Sequence, residues 1–137
     1  MHVTLEQPTG ARLITADQEF ALPATLRYTS GDPLAVHLDF PAHATLDGEA
    51  ATWTFARVLL DEGLRAPAGL GTVRVRPCGT SHTYVEFHMP EGVARLRFVT
   101  ADLNRFLTRT YTVLAPGEET VGAELDRGLA TLFGGRV

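Results

Sequence analysis

A chain of 137 residues that is 45% hydrophobic and 20% charged has the size and apolar content of one packed domain, residues 1–137, and not of a disordered segment. Its formal charge of −4 argues against a duplex-DNA binder working by bulk charge, and no apolar run approaches the roughly 20 residues that span a bilayer. The N-terminus lacks the basic start and apolar stretch of a signal peptide, and the single Cys78 permits neither an internal disulfide nor a multi-cysteine zinc site, so a soluble cytoplasmic domain is expected. All 12 basic residues are Arg, and Ile14 and Asn104 stand alone of their types, a bias that points to a GC-rich genome.

In chain order, the first elements carry the period of strands. Val3 and Leu5 alternate with Thr4 and Glu6; Leu22, Ala24, Leu26 and Tyr28 alternate with Pro23, Thr25 and Arg27. Gly31-Asp32-Pro33 predicts a turn, after which Leu34, Val36, Leu38 and Phe40 point one way and Ala35, His37 and Asp39 the other. A turn at Leu46-Asp47-Gly48 leads to a strand with Ala51, Trp53 and Phe55 inward. A short helix follows from Ala56 to about Glu62, stopped by Gly63 as a left-handed cap. Pro67, Gly69 and Gly71 make its exit loop.

Three more strands are expected around 73–76, 83–89 and 93–99, with Val73, Val75, Val85, Phe87, Met89, Ala94, Leu96 and Phe98 inward. The period then becomes helical. Leu103, Phe106, Leu107, Thr110, Tyr111 and Leu114 form one stripe, with Thr100 as N-cap and Asp102 in the favourable first turn. Pro116-Gly117 breaks that helix, and Val121, Leu125, Leu129, Leu132 and Phe133 form a second stripe. The predicted class is α+β: antiparallel sheets of about seven strands, one inserted short helix and two C-terminal helices.

Catalytic patterns are weak. The five His are scattered and none sits in a metal-binding spacing, so no metal and no cofactor is expected. Cys78 lies in a Pro77-Cys78-Gly79 turn without an activating His that spacing can place. Asp61 and Glu62 are adjacent on a helix and diverge by about 100°. Gly69-Leu70-Gly71 lacks the third Gly and the strand-to-helix setting of a dinucleotide loop. An enzyme is not expected.

The outward faces of the later strands say more. Arg74 and Arg76 alternate with Val73 and Val75, and Arg95 and Arg97 with Ala94, Leu96 and Phe98; between them run Tyr84, Glu86 and His88. Keeping both inward sets on one face requires Glu86 to stand opposite Arg95 or Arg97. From Leu64 to Arg109 seven Arg stand against Glu86, Glu91 and Asp102, a local charge of +4. Such a face suits single-stranded nucleic acid, which wants a basic groove with stacking aromatics, but Tyr84 is its one aromatic. A solvated face of cross-strand Glu–Arg pairs and a protein-docking face are the other two readings. Arg105 and Arg109 make a like-charged i, i+4 pair on the exposed side of the helix, a small cost that serves either a partner or, more simply, solubility.

Taken together, certain residues resemble a known family. Asp32-Pro33-x-Ala35-Val36, Trp53-x-Phe55-Ala56-Arg57-x-Leu59-Leu60-x-x-Gly63-Leu64 and Pro67-x-Gly69-x-Gly71-x-Val73-Arg74-Val75-x-Pro77 occur in order. Pro90-x-Gly92-x-Ala94-x-Leu96, Phe106-Leu107-x-Arg109-Thr110 and Pro116-Gly117 follow. The chain resembles the SsgA-like proteins, the sporulation and cell-division regulators of morphologically complex actinobacteria. Arg76 stands where the family often has an aromatic before the proline.

The resemblance implies a whirly-like fold, association into trimers, and a non-enzymatic adaptor that acts at division septa during sporulation. Its partners would be the division tubulin FtsZ, another SsgA-like protein or cell-wall machinery, with nucleic acid unexpected. The alternative is a single-stranded nucleic-acid-binding protein of the same fold. The candidate partner face is Arg74, Arg76, Arg95 and Arg97 with Arg105 and Arg109. Within the motif, Trp53 and Phe55 are expected in the core, Gly63, Gly69 and Gly71 to serve backbone geometry, and Arg57 to be an ion-pair or contact residue.

Overall fold

Alternation of apolar and polar side chains draws seven strands into one antiparallel sheet in the computed structural model, which describes residues 2–45 and 47–119. The strands are β1 (Thr4–Ile14), β2 (Glu19–Thr29), β3 (Ala35–Phe40), β4 (Ala51–Ala56), β5 (Val73–Cys78), β6 (His82–Met89) and β7 (Gly92–Val99). A 3-10 turn (Ala42–Ala44) precedes β4, helix α1 (Arg57–Gly63) joins β4 to β5, and helix α2 (Thr100–Val113) follows β7. The order across the sheet is β4-β3-β2-β1-β7-β6-β5. The sequence-predicted second C-terminal helix, Val121 to Phe133, lies outside the described residues.

The sheet is strongly curled. Trp53 on β4 and Phe87 on β6 stand five strands apart, which on a flat sheet is roughly 24 Å. Their ring centroids are 4.4 Å apart. Curling brings the two ends together and closes the apolar faces on one another: Leu26, Tyr28, Val36 and Leu38 from one half meet Val75, Val85, Leu96 and Phe98 from the other. Trp53 is half-buried at this seam and is not the fully buried core residue expected from alternation; Phe55 is buried. Helix α2 lays Leu103, Phe106 and Leu107 onto the core, as its stripe requires, and each such burial contributes about 2 kcal/mol.

β1 is much longer than the alternation of Val3 and Leu5 suggests, because its inward positions include the polar Gln7 and Thr9. Gln7 is satisfied by α2: its Nε2 donates to the Asp102 carbonyl and its Oε1 accepts from Arg109. Pro8 is tolerated because β1 pairs with β7 only over Ala11–Ile14, so that edge of β1 needs no N–H at Pro8.

Two helix ends differ from expectation. Gly63 is not a left-handed cap but the last helical residue: a Cβ there would lie 2.3 Å from the Val75 side chain, so absence of a side chain lets α1 seat on β5. At α2 the N-cap is Val99, and Thr100 is already helical, its hydroxyl spent on the Thr83 hydroxyl at 2.8 Å. Gly69 has φ +99°, a turn geometry that favours glycine, whereas Gly71 has neither a positive φ nor any atom within reach of a Cβ.

Candidate interaction face

The hairpin register fixes the outer surface of β5, β6 and β7. A two-residue Pro90-Glu91 connection pairs Met89 with Gly92, so Glu86 faces Arg95 on one side and Arg74 on the other. The next outward row is Arg76, Tyr84, Arg97 and Arg12, each directly opposite the next on β5, β6, β7 and β1. Arg74, Arg76, Arg95 and Arg97 therefore share one face, as their alternation requires.

Much of this charge is already paired. Glu86, only 6% exposed, accepts from Arg95 Nε at 2.6 Å and Arg76 Nη2 at 3.3 Å, and its other oxygen lies 3.2 Å from His88 Nε2. Burial pushes its pKa up, but the bonds from Arg95, His88 and Arg76 outweigh burial and hold it below the ordinary carboxylate value. The Arg76 and Arg95 guanidiniums lie 4.8 and 5.1 Å from the Tyr84 ring centroid, so they cover the one aromatic on the face. Arg97 forks onto Glu19 with bonds of 2.9 and 2.8 Å, and that contact lowers the Glu19 pKa. Arg74 is exposed and donates only to the Gly71 carbonyl at 3.2 Å.

The α2 pair lies elsewhere. α2 packs on the concave side of the sheet, so Arg105 and Arg109 do not join the outer face. Arg105 pairs with Asp102 on its own helix, and Arg109 donates to Gln7 Oε1 at 3.1 Å. The like-charged i, i+4 pair is thereby split between two partners.

Among the described residues Arg57 is the most deeply set charge, 1% exposed between the rings of Tyr28 (5.0 Å) and Tyr111 (4.8 Å). It caps the C-terminus of α2, donating to the carbonyls of Thr110 (3.3 Å), Leu114 (2.7 Å) and Ala115 (3.3 Å), and its Nη2 pairs with Glu119 at 2.7 Å. Burial works against ionisation of Glu119, but Arg57 outweighs it and the carboxyl stays below its usual range. Asp32 and Pro33 build the β2–β3 turn: Asp32 accepts from the Ala35 N–H, and the Pro33 carbonyl accepts from the Tyr28 hydroxyl at 3.0 Å. Pro77 lies on the edge strand β5, where its missing N–H costs no ladder bond.

Sequence reasoning missed Arg12, Glu19 and Glu119. Arg12 sits among Leu13 and Ile14, but nothing in the sequence reveals that β1 lies beside β7, about 85 residues later. Among the described residues, no cluster of His, Cys, Asp or Glu is arranged to hold a metal ion, and no helix is long and apolar enough to cross a membrane.

Comparison with known proteins adds a consistent set of relatives. A family model described as Streptomyces sporulation and cell division protein, SsgA, matches residues 22–119. The sporulation-specific cell division protein SsgB of Salinispora tropica is 42% identical over 97% of this chain and 95% of its own length. The SsgB of Streptomyces coelicolor is 37% identical over 97% of this chain and 98% of its own. A solved SsgA-like sporulation-specific cell division protein from Thermobifida fusca superposes with TM-score 0.81 at 33% identity, covering 96% of this chain and 95% of that one. A second solved structure, from work on SsgB mutations that correlate to longitudinal cell division during sporulation of Streptomyces coelicolor, gives TM-score 0.78 at 36% identity, over 89% and 97%.

Proposed function

The chain belongs to the SsgA family of sporulation and cell division proteins, and from that membership we propose that it is a non-enzymatic adaptor that helps place the septum during sporulation. The observation that carries the mechanism is the outer sheet face, on which Arg74, Arg76, Arg95, Arg97 and Arg12 stand against Glu86 and Glu19. A face of this kind steers an acidic protein toward itself and fixes its register with forked Arg–carboxylate contacts. FtsZ is the partner proposed, with another SsgA-like protein or cell-wall machinery as the remaining members of that class, and the site of action is the division septum.

The nucleic-acid reading is disfavoured by a formal charge of −4 and by Tyr84, whose ring is occupied by two Arg. We read the curled sheet as whirly-like and the working unit as a homotrimer of one SsgA-like domain, 1–137. Edge strand β4 favours assembly, since an unpaired edge invites pairing or cover, whereas β5 is already bridged by Ala68 at Val75.

Co-sedimentation of the full chain with polymerised FtsZ tests the adaptor role, alongside septum counts in a strain lacking the protein. Salt-sensitive co-sedimentation and irregular septa are expected. Normal septa without the protein, together with no co-sedimentation, would sink the proposal. Light scattering at monomer mass across micromolar concentrations would remove the trimer alone.

A further inference from the structure

At one point on the outer face two cations oppose each other. Arg12 on β1 is the direct cross-strand partner of Arg97 on β7, a like-charged pairing that destabilises a sheet unless an anion lies between. The chain supplies one such anion, Glu19, and it engages Arg97 in a forked contact. Among the described residues, no carboxylate lies within ion-pair distance of Arg12.

Beside this pair, β1 and β7 part company, because their pairing ends at Ala11 and Phe98. The fork leaves a groove of about 290 Å³ lined by Gly10, Arg12, Ala21, His82, Arg97 and Val99. Small residues make it. A Cβ added at Gly10 would meet no atom within 4 Å, so the space above it is open.

We propose that the Arg12–Arg97–His82 groove is the anchor point for an acidic segment of a protein partner, whose carboxylate takes Arg12 and displaces Glu19 from Arg97. This rests on the adaptor reading above and names the chemistry of the partner's contact. Glu19 is the internal stand-in: it shows that a carboxylate fits the Arg97 fork, and at 45% side-chain exposure it is free to swing away. Phosphate chemistry of a nucleic acid is the less suitable occupant, because the neighbouring Tyr84 ring is covered by Arg76 and Arg95 and offers bases no platform.

Fluorescence anisotropy with the full chain and a labelled oligoglutamate peptide, run beside labelled oligo-dT, tests this at low salt. The peptide is expected to bind more tightly than oligo-dT. Arg12→Ala and the groove-filling Gly10→Leu are expected to weaken it about tenfold or more, while Arg65→Ala, an exposed cation just past α1 that pairs with Asp61 and lies neither in the groove nor on the outer face, changes it little. Glu19→Gln, which releases Arg97 without adding a contact, is expected to tighten it. Circular dichroism verifies the fold of each variant. Tighter binding of oligo-dT overturns the proposal. So does unchanged peptide affinity in folded Gly10→Leu and Glu19→Gln. If the peptide fails while FtsZ still co-sediments, the groove is wrong and the adaptor reading stands; if groove variants behave as expected without FtsZ co-sedimentation, the acidic partner is another protein.

Discussion

Replacing Arg57 with Ala should be among the most damaging single changes in this chain. The guanidinium is 1% exposed, and its removal strands the Glu119 carboxylate and the carbonyls of Leu114 and Ala115 at the end of α2. Breaking one partner of a buried ion pair costs about 3–5 kcal/mol, because the other charge is left uncompensated. For a chain of this length that is a fall in Tm of roughly 10–17 °C. Thermal unfolding followed by circular dichroism reads it. Glu119→Gln is the graded control: it keeps an oxygen acceptor for Arg57 and should cost only about 1–2 kcal/mol. Arg57→Met with Glu119→Gln separates charge from packing, since Met replaces the stem between Tyr28 and Tyr111 but caps nothing. A folded Arg57→Ala that melts within about 3 °C of wild type, under 1 kcal/mol, would refute the capping argument.

Other consequences are equally open to measurement. Gly63→Ala should destabilise by about 1–3 kcal/mol or more, since its Cβ would overlap Val75, while Gly71→Ala should be neutral or slightly stabilising; equal melting temperatures for the two would contradict the close approach of α1 to β5. Because the Glu86 pKa is held below its ordinary 4.5 in the folded state, its ionic contacts stabilise fully above that value and are lost as pH falls through the lowered one. Glu86→Gln should therefore show a flatter acid limb in a stability–pH profile, and an unchanged limb counts against the Arg95–Glu86–Arg76 hub. All three tyrosines have raised pKa values, Tyr111 to about 12 through burial and its bond to Asp61, Tyr28 through burial and Tyr84 through its contact with Cys78. Spectrophotometric titration should show less than half of the phenolate signal at pH 10.0, the ordinary tyrosine value.

Local pattern was enough for most elements and for the composition of one face. Period-2 runs placed β2, β3, β4 and β6, and the i, i+3, i+4 stripe placed α2, because a strand or helix that must bury one side writes its period into the chain. The same parity argument put Arg74, Arg76, Arg95 and Arg97 on a single surface, and narrowed the partner of Glu86 to two candidates. Where side chains on the buried side were polar, the signal failed. Gln7 and Thr9 hid most of β1, since their acceptability depends on what α2 brings to Gln7 and not on anything nearby in sequence.

What only the tertiary structure decided was how distant segments meet. The curl of the sheet, which brings Trp53 to Phe87, depends on the summed twist of seven strands and on closing two apolar faces over each other. Gly63 reads as a cap in the sequence, yet it is small because of Val75, a residue on another element. Arg57 reads in the sequence as an ion-pair or contact residue on a short helix, and which of the two it is, the buried cap of α2 paired with Glu119, is decided only once α2 has docked. Arg12, unremarked in its own segment, is made part of the basic face by the pairing of β1 with β7. Periodicity reports which side of an element is buried; the identity of the neighbour across that side is a property of the whole fold, and it is the neighbour that determines what each charge does.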